Sequence, residues 1–345
     1  MYNTPKIYSF DVARVVALVA VVLIHGQFFM DYAIVDGEPW LNYLINQLCR
    51  FAVPLFFLMA GYLIYPSLSQ KPFKKARSYC MPLMVIWALW SAIALVMPFN
   101  LGTLIQHGYL AEREGYWGFL ASTPLNSLFE GGLVHLWYLP ALVSAVIIIA
   151  LFERLRVYGL LLPVAIALYV YGVGAGSYAI ITEWSAPIFT RNGPFFSLLM
   201  VSIGYAIRRN DWSLPASSAR AIALLGLSMH FAEALFLHGK GQLFNMNDFL
   251  IGTAVWSVGL FFWLLAKPNL GQSPIWARLS QWVFPMYVTH LFVIIILFNL
   301  AGVLGFTQGA KDALVFIGTL LGSYLLVVAV DKTPMSFARL RLRFA

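Results

Sequence analysis

The sequence predicts an all-α polytopic membrane protein, with a single domain over residues 1–345 and about ten transmembrane helices. Two observations lead to this fold class. Apolar residues make up 61% of the chain and charged residues only 10%, whereas soluble domains carry about 25% charged residues. The apolar residues are also gathered into stretches of about 20 residues, which is the length that a helix needs to cross a bilayer.

Ten such stretches follow one another along the chain. Most of the loops between them are short, but one covers about residues 100–133, and loops of that length usually carry function. Asp11 and Arg14 interrupt the start of the first stretch, so we expect it to remain as a span and not to be a cleaved signal peptide. The predicted spans cover approximately residues 8–30, 43–65, 79–99, 134–152, 157–175, 194–208, 219–238, 248–266, 282–302 and 312–331.

The distribution of lysine and arginine predicts the orientation. Two of the 22 basic residues, Arg14 and Arg50, lie inside predicted spans, and sixteen lie in loops on one side. Cytoplasmic loops carry an excess of Lys and Arg, so both termini are predicted to be cytoplasmic. The net charge of +8 is therefore mostly a topology signal, and we expect no nucleic-acid partner. The four remaining basic residues, on the opposite side, are Arg113, Arg191, Lys240 and Lys311.

Several kinds of chemistry find no support in the sequence. It has no P-loop, GxSxG, HExxH or CxxC pattern, so phosphoryl transfer and zinc hydrolysis are not indicated. The two cysteines, Cys49 and Cys80, are expected in different halves of the bilayer. We therefore expect no disulfide and no metal site.

Asp11, Arg14 and His25 are the most informative residues of the first span. Ionisable groups at membrane depth are costly and usually have a function. Arg14 and His25 are eleven residues apart, so their side chains lie on nearly the same helix face, about 16 Å apart along the axis. Asp11 lies one turn before Arg14 and is close enough to pair with it. The alternatives are that Arg14 snorkels to the cytoplasmic surface and that His25 hydrogen-bonds to a neighbouring helix.

Arg50 lies in the second span, on the order of 10 Å below the outer surface by the predicted boundaries. A guanidinium at that depth needs a carboxylate, a ligand or a water-filled cavity. Because Arg50 lies at about the depth of His25 and a short loop joins the two spans, we expect the two side chains to be neighbours.

Five further residues are candidates for contact with a substrate. His135 and Trp137 open the fourth span, where an aromatic belt equally explains Trp137. Glu233, in the seventh span, is expected to pair with a buried arginine or to contact substrate. The alternative for Arg191 is a plain loop charge, and for His290 it is a hydrogen bond between helices.

These residues fall in motifs that resemble the acyltransferase-3 family of integral-membrane acyltransferases, specifically its branch of surface-polysaccharide O-acetyltransferases. The matching pieces are FDVARVVALVAVVLIH, with ten residues between arginine and histidine, RFAVPLFFLMAGY, HLWYL at 135–139 and YVTH at 287–290. They are spread over nearly the whole chain, and ten spans is the arrangement of that family. Ala60 is a departure, since the family usually has Ser-Gly-Tyr where this chain has AGY.

The resemblance implies a bacterial inner-membrane enzyme that takes an acetyl group from acetyl-CoA, a co-substrate and not a permanently bound cofactor. The acceptor is a hydroxyl of a cell-envelope polysaccharide or of its lipid-linked precursor. By matching positions, His25 is the catalytic histidine, Arg14 and Arg50 act with it, and Asp11 holds Arg14. Expected partners are acetyl-CoA, a cell-surface glycan or lipid-linked sugar, and membrane lipids. A histidine suits acyl transfer as base or covalent relay, and an arginine can stabilise the oxyanion.

Because the donor is cytoplasmic, its pantetheine arm is predicted to thread along the first span from Arg14 towards His25. The CoA phosphates are predicted to bind the loop KPFKKAR, since lysines suit phosphate as point charges. The alternative is that this loop only sets the topology. The cofactor-binding candidates are Lys71, Lys74, Lys75 and Arg77.

Two other functions remain open. A transporter or flippase for a lipid-linked sugar or acyl donor also places polar residues in the membrane, although the chain lacks the repeated halves common in transporters. A structural partner in polysaccharide export would leave Arg14, Arg50 and His25 without a role. The acceptor hydroxyl, an acetyl or succinyl donor, direct or acetyl-histidine transfer, and the oligomeric state are not decided by the sequence.

Overall fold

The computed structural model describes residues 6–344 and is nearly all helical, with 76% of the residues in helices. Short 3₁₀ turns at 134–137, 158–160 and 244–246 supplement the α-helices. In the described part of the chain the α-helices are α1 (Ser9–His25), α2 (Trp40–Leu48), α3 (Ala52–Leu68), α4 (Pro72–Val96), α5 (Leu101–Ser122), α6 (Pro124–Glu130), α7 (Tyr138–Leu155), α8 (Leu161–Gly174), α9 (Ala179–Thr182), α10 (Pro194–Arg209), α11 (Ala216–His238), α12 (Ile251–Ala266), α13 (Pro274–Ser280), α14 (Val283–Val303), α15 (Gln308–Asp331) and α16 (Phe337–Phe344).

Each of the ten predicted spans falls on helical structure. Within residues 6–344, six helical stretches are long and apolar enough to cross a membrane. The other four predicted spans correspond to α1, α8, α10 and α12, which have 14 to 17 residues. The chain is therefore a multi-pass membrane protein, while the count of ten spans and the cytoplasmic termini stay predictions. The six stretches are Trp40–Leu68, Pro72–Val96, Val134–Leu155, Ala216–His238, Val283–Val303 and Gln308–Asp331.

The predicted second span is interrupted at the position that matters most for the site. Helix α2 ends at Leu48, α3 begins at Ala52, and Arg50 lies in the turn between them. Pro54 explains the break, because proline has no N–H to donate to the carbonyl of Arg50, four residues earlier. Arg50 therefore projects from a turn and not from the middle of a continuous helix.

The segment predicted as a long loop, 100–133, is mostly helical. It contains α5 and α6, and α5 is kinked at Gly108, where φ is +83°. Arg113, predicted as an outer loop charge, is fully buried and bonded to Glu112. The Glu112 carboxylate also accepts the N–H groups of Phe99 and Asn100, at 2.9 and 3.1 Å. This pair therefore fastens α5 to the end of α4.

A small β-hairpin was not predicted from the sequence. Strand β1 (Ile34–Val35) pairs antiparallel with β2 (Glu38–Pro39). The two residues between them, Asp36 and Gly37, both have positive φ, 51° and 81°, which is the requirement of a tight type I′ turn.

Helix α1 lies in the middle of the fold, against α3, α12, α13 and α14. Its buried face carries Ala13, Ala17 and Ala20, and small residues let helices approach closely in a membrane. Helices α3 and α10 also approach each other closely, backbone to backbone. A Cβ on Gly61 would overlap the Val201 carbonyl, and one on Gly204 would overlap the Leu58 carbonyl.

Candidate active site

A cavity of about 370 Å³ lies at the C-terminal end of α1. Its walls include His25 at the end of α1, Arg50 from the turn after α2, and Trp137 from the 3₁₀ turn before α7. Arg191 and Asp248 come from the segments that precede α10 and α12. The fold thus brings four predicted site residues to one cavity and adds Asp248 to them.

The hydrogen bond of His25 defines which of its ring nitrogens is basic. Nδ1 lies 2.9 Å from the carbonyl oxygen of Val21. A carbonyl only accepts hydrogen bonds, so Nδ1 carries the proton and Nε2 holds the lone pair. His25 therefore presents the nitrogen that can take up a proton or attack an acyl carbon.

His290 offers a second acceptor to the Nδ1–H group of His25 and so favours the same tautomer. Its Nε2 lies 3.4 Å from Nδ1 of His25, and its own Nδ1 lies 2.6 Å from the carbonyl oxygen of Tyr287. By the same argument, Nδ1 of His290 is the protonated nitrogen and Nε2 has the lone pair. The His25 N–H therefore points at two acceptors, the Val21 carbonyl and the His290 ring.

His135 continues the cluster away from the cavity. Its ring centroid is 5.0 Å from that of His290, and its Nε2 lies 2.9 Å from the Val288 carbonyl oxygen. The backbone carbonyl of His135 accepts a hydrogen bond from the Tyr287 hydroxyl. His135 and His290 are 1% and 0% exposed. The structure thus places both histidines behind His25, where they tie the start of α7 to α14.

Arg50 has the carboxylate that its depth requires. Its Nη1 lies 2.9 Å from Oδ1 of Asp248, its Nη2 donates to the Asn245 carbonyl at 2.8 Å, and its Nε donates to the Asn46 side chain at 3.1 Å. The other oxygen of Asp248 is 2.9 Å from Nη1 of Arg191. The cavity wall therefore carries two guanidinium groups joined by one carboxylate.

Arg191 is held from its other side as well. Its Nη2 lies 2.6 Å from Oε1 of Glu130, at the end of α6. Charged groups that are this buried keep their charge only when they are paired and hydrogen-bonded. Asp248 and Glu130 therefore balance the charge of Arg191 and hold it at the cavity, so it is not a plain loop charge.

Asp11 and Arg14 occupy the opposite end of α1. Nη1 of Arg14 lies 3.6 Å from Oδ1 of Asp11, which places the expected pair together. Asp11 also accepts a hydrogen bond from the Ser280 hydroxyl at 2.6 Å and forms an ion pair with Lys6 at 2.9 Å. Asp11 therefore joins α1 to α13 as well as holding Arg14.

Tyr287 lines a cavity at each end of α1. A cavity of about 350 Å³ is lined by Arg14, Tyr138 and Tyr287, and Tyr287 also lines the cavity of His25. The rings of Tyr138 and Tyr287 meet edge to face at 5.5 Å. The cavity beside Arg14 and the cavity beside His25 therefore share Tyr287 as a lining residue.

Comparison with known proteins decides the family. A family model described as an acyltransferase domain, Acyl_transf_3, matches residues 7–330. The chain belongs to this acyltransferase family. No solved structure is a significant match.

Two curated proteins are similar to this acyltransferase-family chain. It is 26% identical over 318 residues to an amino-acid racemase of Enterococcus faecalis, covering 84% of this chain and 41% of that protein. It is 25% identical over 253 residues to a serine/alanine racemase of Enterococcus gallinarum, covering 66% of this chain and 33% of that protein. The chain therefore spans less than half the length of these relatives.

Glu233 and the four basic residues predicted to bind CoA do not line the His25 cavity of this acyltransferase. Glu233 accepts the backbone N–H groups of Ile251 and Gly252 at 3.0 and 2.7 Å, and the Tyr178 hydroxyl at 3.0 Å. It thus caps the positive N-terminus of α12. The four basic residues lie at the start of α4, where all four side chains are exposed: Lys71, Lys74, Lys75 and Arg77.

Four residues of the site were not predicted as site residues, and only a weak sequence signal points to them: Asp248, Glu130, Asn46 and Asn245. Asp248 begins the predicted eighth span, and a carboxylate at a span end on the side of Arg50 and Arg191 is the signal that points to it. Its pairing with Arg50 crosses 198 positions of the chain, which no local pattern reveals. Within residues 6–344, no group of three His, Cys, Asp or Glu side chains is placed to hold a metal ion.

Proposed function

We propose that this membrane acyltransferase is an O-acetyltransferase of a bacterial inner membrane. It moves an acetyl group from acetyl-CoA to a hydroxyl of a cell-envelope polysaccharide or of its lipid-linked precursor. The observation that carries the proposal is the placement of His25, with Nδ1 bonded to a carbonyl, on the wall of a cavity that also holds Arg50, in a chain of an acyltransferase family.

His25 is the reacting group in this proposal. Its Nε2 removes the proton of the acceptor hydroxyl, and the hydroxyl oxygen attacks the thioester carbonyl. The C–S bond then breaks, and the proton passes from His25 to the departing thiolate. In the alternative route, the same nitrogen attacks the thioester and forms acetyl-His25. This route differs from direct transfer because the covalent intermediate accumulates when no acceptor is present.

The arginines of the outer cavity stabilise charge. Arg50 is fixed by three hydrogen bonds, so its positive charge is in place before the oxyanion forms on the thioester carbonyl, and such preorganised charge is effective in a dry site. Trp137, Arg191 and Asp248 line the same cavity and offer an aromatic face, donors and an acceptor to a sugar.

The donor reaches His25 from the cytoplasmic end of α1. Arg14 and Tyr287 line one cavity, and Tyr287 and His25 line the next. An extended pantetheine arm laid along this path carries the thioester from the Arg14 end to the His25 end, about 16 Å along the helix axis.

The test uses purified protein in lipid vesicles, radiolabelled acetyl-CoA and a polysaccharide acceptor. We expect label in the acceptor with the parent protein, and a loss of about 10²–10⁴-fold with His25→Ala, the usual contribution of a general base. The matched control is His107→Ala, since His107 is exposed on α5. A parent-like rate in His25→Ala would exclude His25 as the reacting group. Mass spectrometry of the surface polysaccharide, with and without this chain, identifies the acceptor.

Transport of a lipid-linked sugar or of an acyl donor is the second candidate function. The neighbouring cavities along α1 favour it, since polar groups inside a membrane also line transport paths. The same vesicles separate the two functions, because a transporter moves labelled substrate into the lumen without transferring the acetyl group.

A further inference from the structure

A third cavity, of about 330 Å³, lies at the Arg14 end of α1. Among the residues that line it are three cations, Lys6 just before α1, Arg14 within α1 and Arg208 near the end of α10. The described lining has one carboxylate, Asp11. Asp11 is already engaged by Ser280 and Lys6. The cavity therefore has an excess of positive charge and suits an anion.

Arg208 is held in position beside this cavity. Its Nη1 donates to the Tyr62 hydroxyl at 3.1 Å, and its guanidinium lies 5.1 Å from the centroid of the Tyr62 ring. That bond uses one of the five N–H groups of the guanidinium. Tyr62 and Arg208 both line the cavity, so this contact holds Arg208 at the cavity wall. Asp11 is the one carboxylate among the described lining residues, and its ion pairs are with Lys6 and Arg14.

Guanidinium groups bind phosphate oxygens through paired N–H donors, and an ammonium adds a mobile point charge. Two guanidiniums and one ammonium around a single cavity therefore match a ligand with several phosphate charges. The lysines at the start of α4 are exposed on the surface, whereas Arg14 lines both this cavity and the one that reaches Tyr287.

We propose that Lys6, Arg14 and Arg208 form the binding site for the phosphate groups of the CoA donor, in place of the KPFKKAR segment. Arg208 is the anchor that no sequence motif identifies. The phosphates stay in this cavity, and the thioester end passes Arg14 towards Tyr287 and His25. This inference rests on the proposed acetyl-CoA-dependent function and specifies where the donor binds.

The first test compares acetyl-CoA with S-acetyl-pantetheine, which lacks the nucleotide and all of its phosphates. Arg208→Gln should raise the KM for acetyl-CoA about tenfold, the loss of one charge-assisted contact, and leave the KM for S-acetyl-pantetheine unchanged. Lys6→Gln should act in the same direction, and Lys6 is 52% exposed, so its loss does not threaten folding. The matched control is Arg220→Gln, on the exposed surface of α11.

The second test does not require turnover. Free CoA should raise the Tm of the detergent-solubilised parent by mass action, and Arg208→Gln should shrink that shift more than Arg220→Gln does. Equal KM values and equal Tm shifts in Arg208→Gln and the parent would overturn the phosphate site. A CoA-dependent Tm shift that needs Arg208, in a protein that transfers no acetyl group, would support the phosphate site and reject the acetyltransferase function.

Discussion

Nε2 of His290 lies 3.4 Å from Nδ1 of His25, and the two rings are inclined at 68° with a centroid distance of 5.1 Å. His290 thus acts on the proposed chemistry through His25. Replacing it with leucine should lower kcat about tenfold or more with little change in KM, because the bond orients the base and not the substrate.

The conservative variant His290→Gln separates this positioning role from a role in packing. Glutamine keeps an acceptor near the position of Nε2, so we expect it to restore much of the kcat that His290→Leu loses. Steady-state kinetics of both variants, with Tm values to confirm folding, provide the measurement. Equal activity of the two variants would show that the hydrogen bond to His25 is not what matters.

Asp248 joins the two guanidiniums of the His25 cavity. Asp248→Asn leaves Arg50 and Arg191 with an uncompensated positive charge, and hydrogen bonds to charged groups are worth about 1.5–3 kcal/mol. We expect kcat/KM for the acceptor to fall about 10–100-fold. Asp31→Asn, in an exposed position before the hairpin, is the control and should keep the parent value.

Glu112 is expected to stabilise the attachment of α5. The hydrogen bond from Arg113 holds the pKa of the Glu112 carboxyl below its ordinary value of 4.5. A lowered pKa in the folded state means that the stabilisation is complete above pH 4.5 and is lost as the pH falls through the folded-state pKa.

Glu112→Gln should therefore lower the Tm near neutral pH, since it leaves the buried guanidinium of Arg113 without its carboxylate, a loss of about 3–5 kcal/mol for a buried pair. Glu114→Gln removes a neighbouring exposed carboxylate of the same helix and should leave the Tm unchanged. Similar Tm values for the two variants would mean that the buried pair does not hold α5.

Gly204→Ala should destabilise the packing of α10 on α3. The added methyl group would meet the Leu58 carbonyl, and overpacking of this kind costs about 1–3 kcal/mol. Gly118→Ala is the control, because a Cβ there meets open space and alanine favours a helix over glycine. Thermal unfolding in detergent should show a lower Tm for Gly204→Ala only.

Much of the helical framework could be predicted because a bilayer leaves a chain few options. Every backbone polar group must be satisfied within the span, so long apolar runs become helices, and each of the ten predicted runs does. The break at Arg50, the hairpin at residues 34–39 and the helices of residues 101–130 were not predicted. The break involves one proline, the hairpin two residues with positive φ, and the attachment of α5 a buried ion pair. None of these features changes the hydropathy of the chain.

For the candidate site, local sequence was sufficient wherever helical periodicity relates two residues. It placed Arg14 one turn from Asp11 and at the other end of α1 from His25, and the depth of Arg50 indicated that it lies beside His25. Hydrophobic periodicity carries no information about which helices meet. The partners of Arg50 and His25, namely Asp248 and His290, are 198 and 265 positions away. The His25–His290 contact arises only when α1 packs against α14, and the Arg50–Asp248 contact only when α3 packs against α12. A buried charge or imidazole then takes the partner that the neighbouring segment offers.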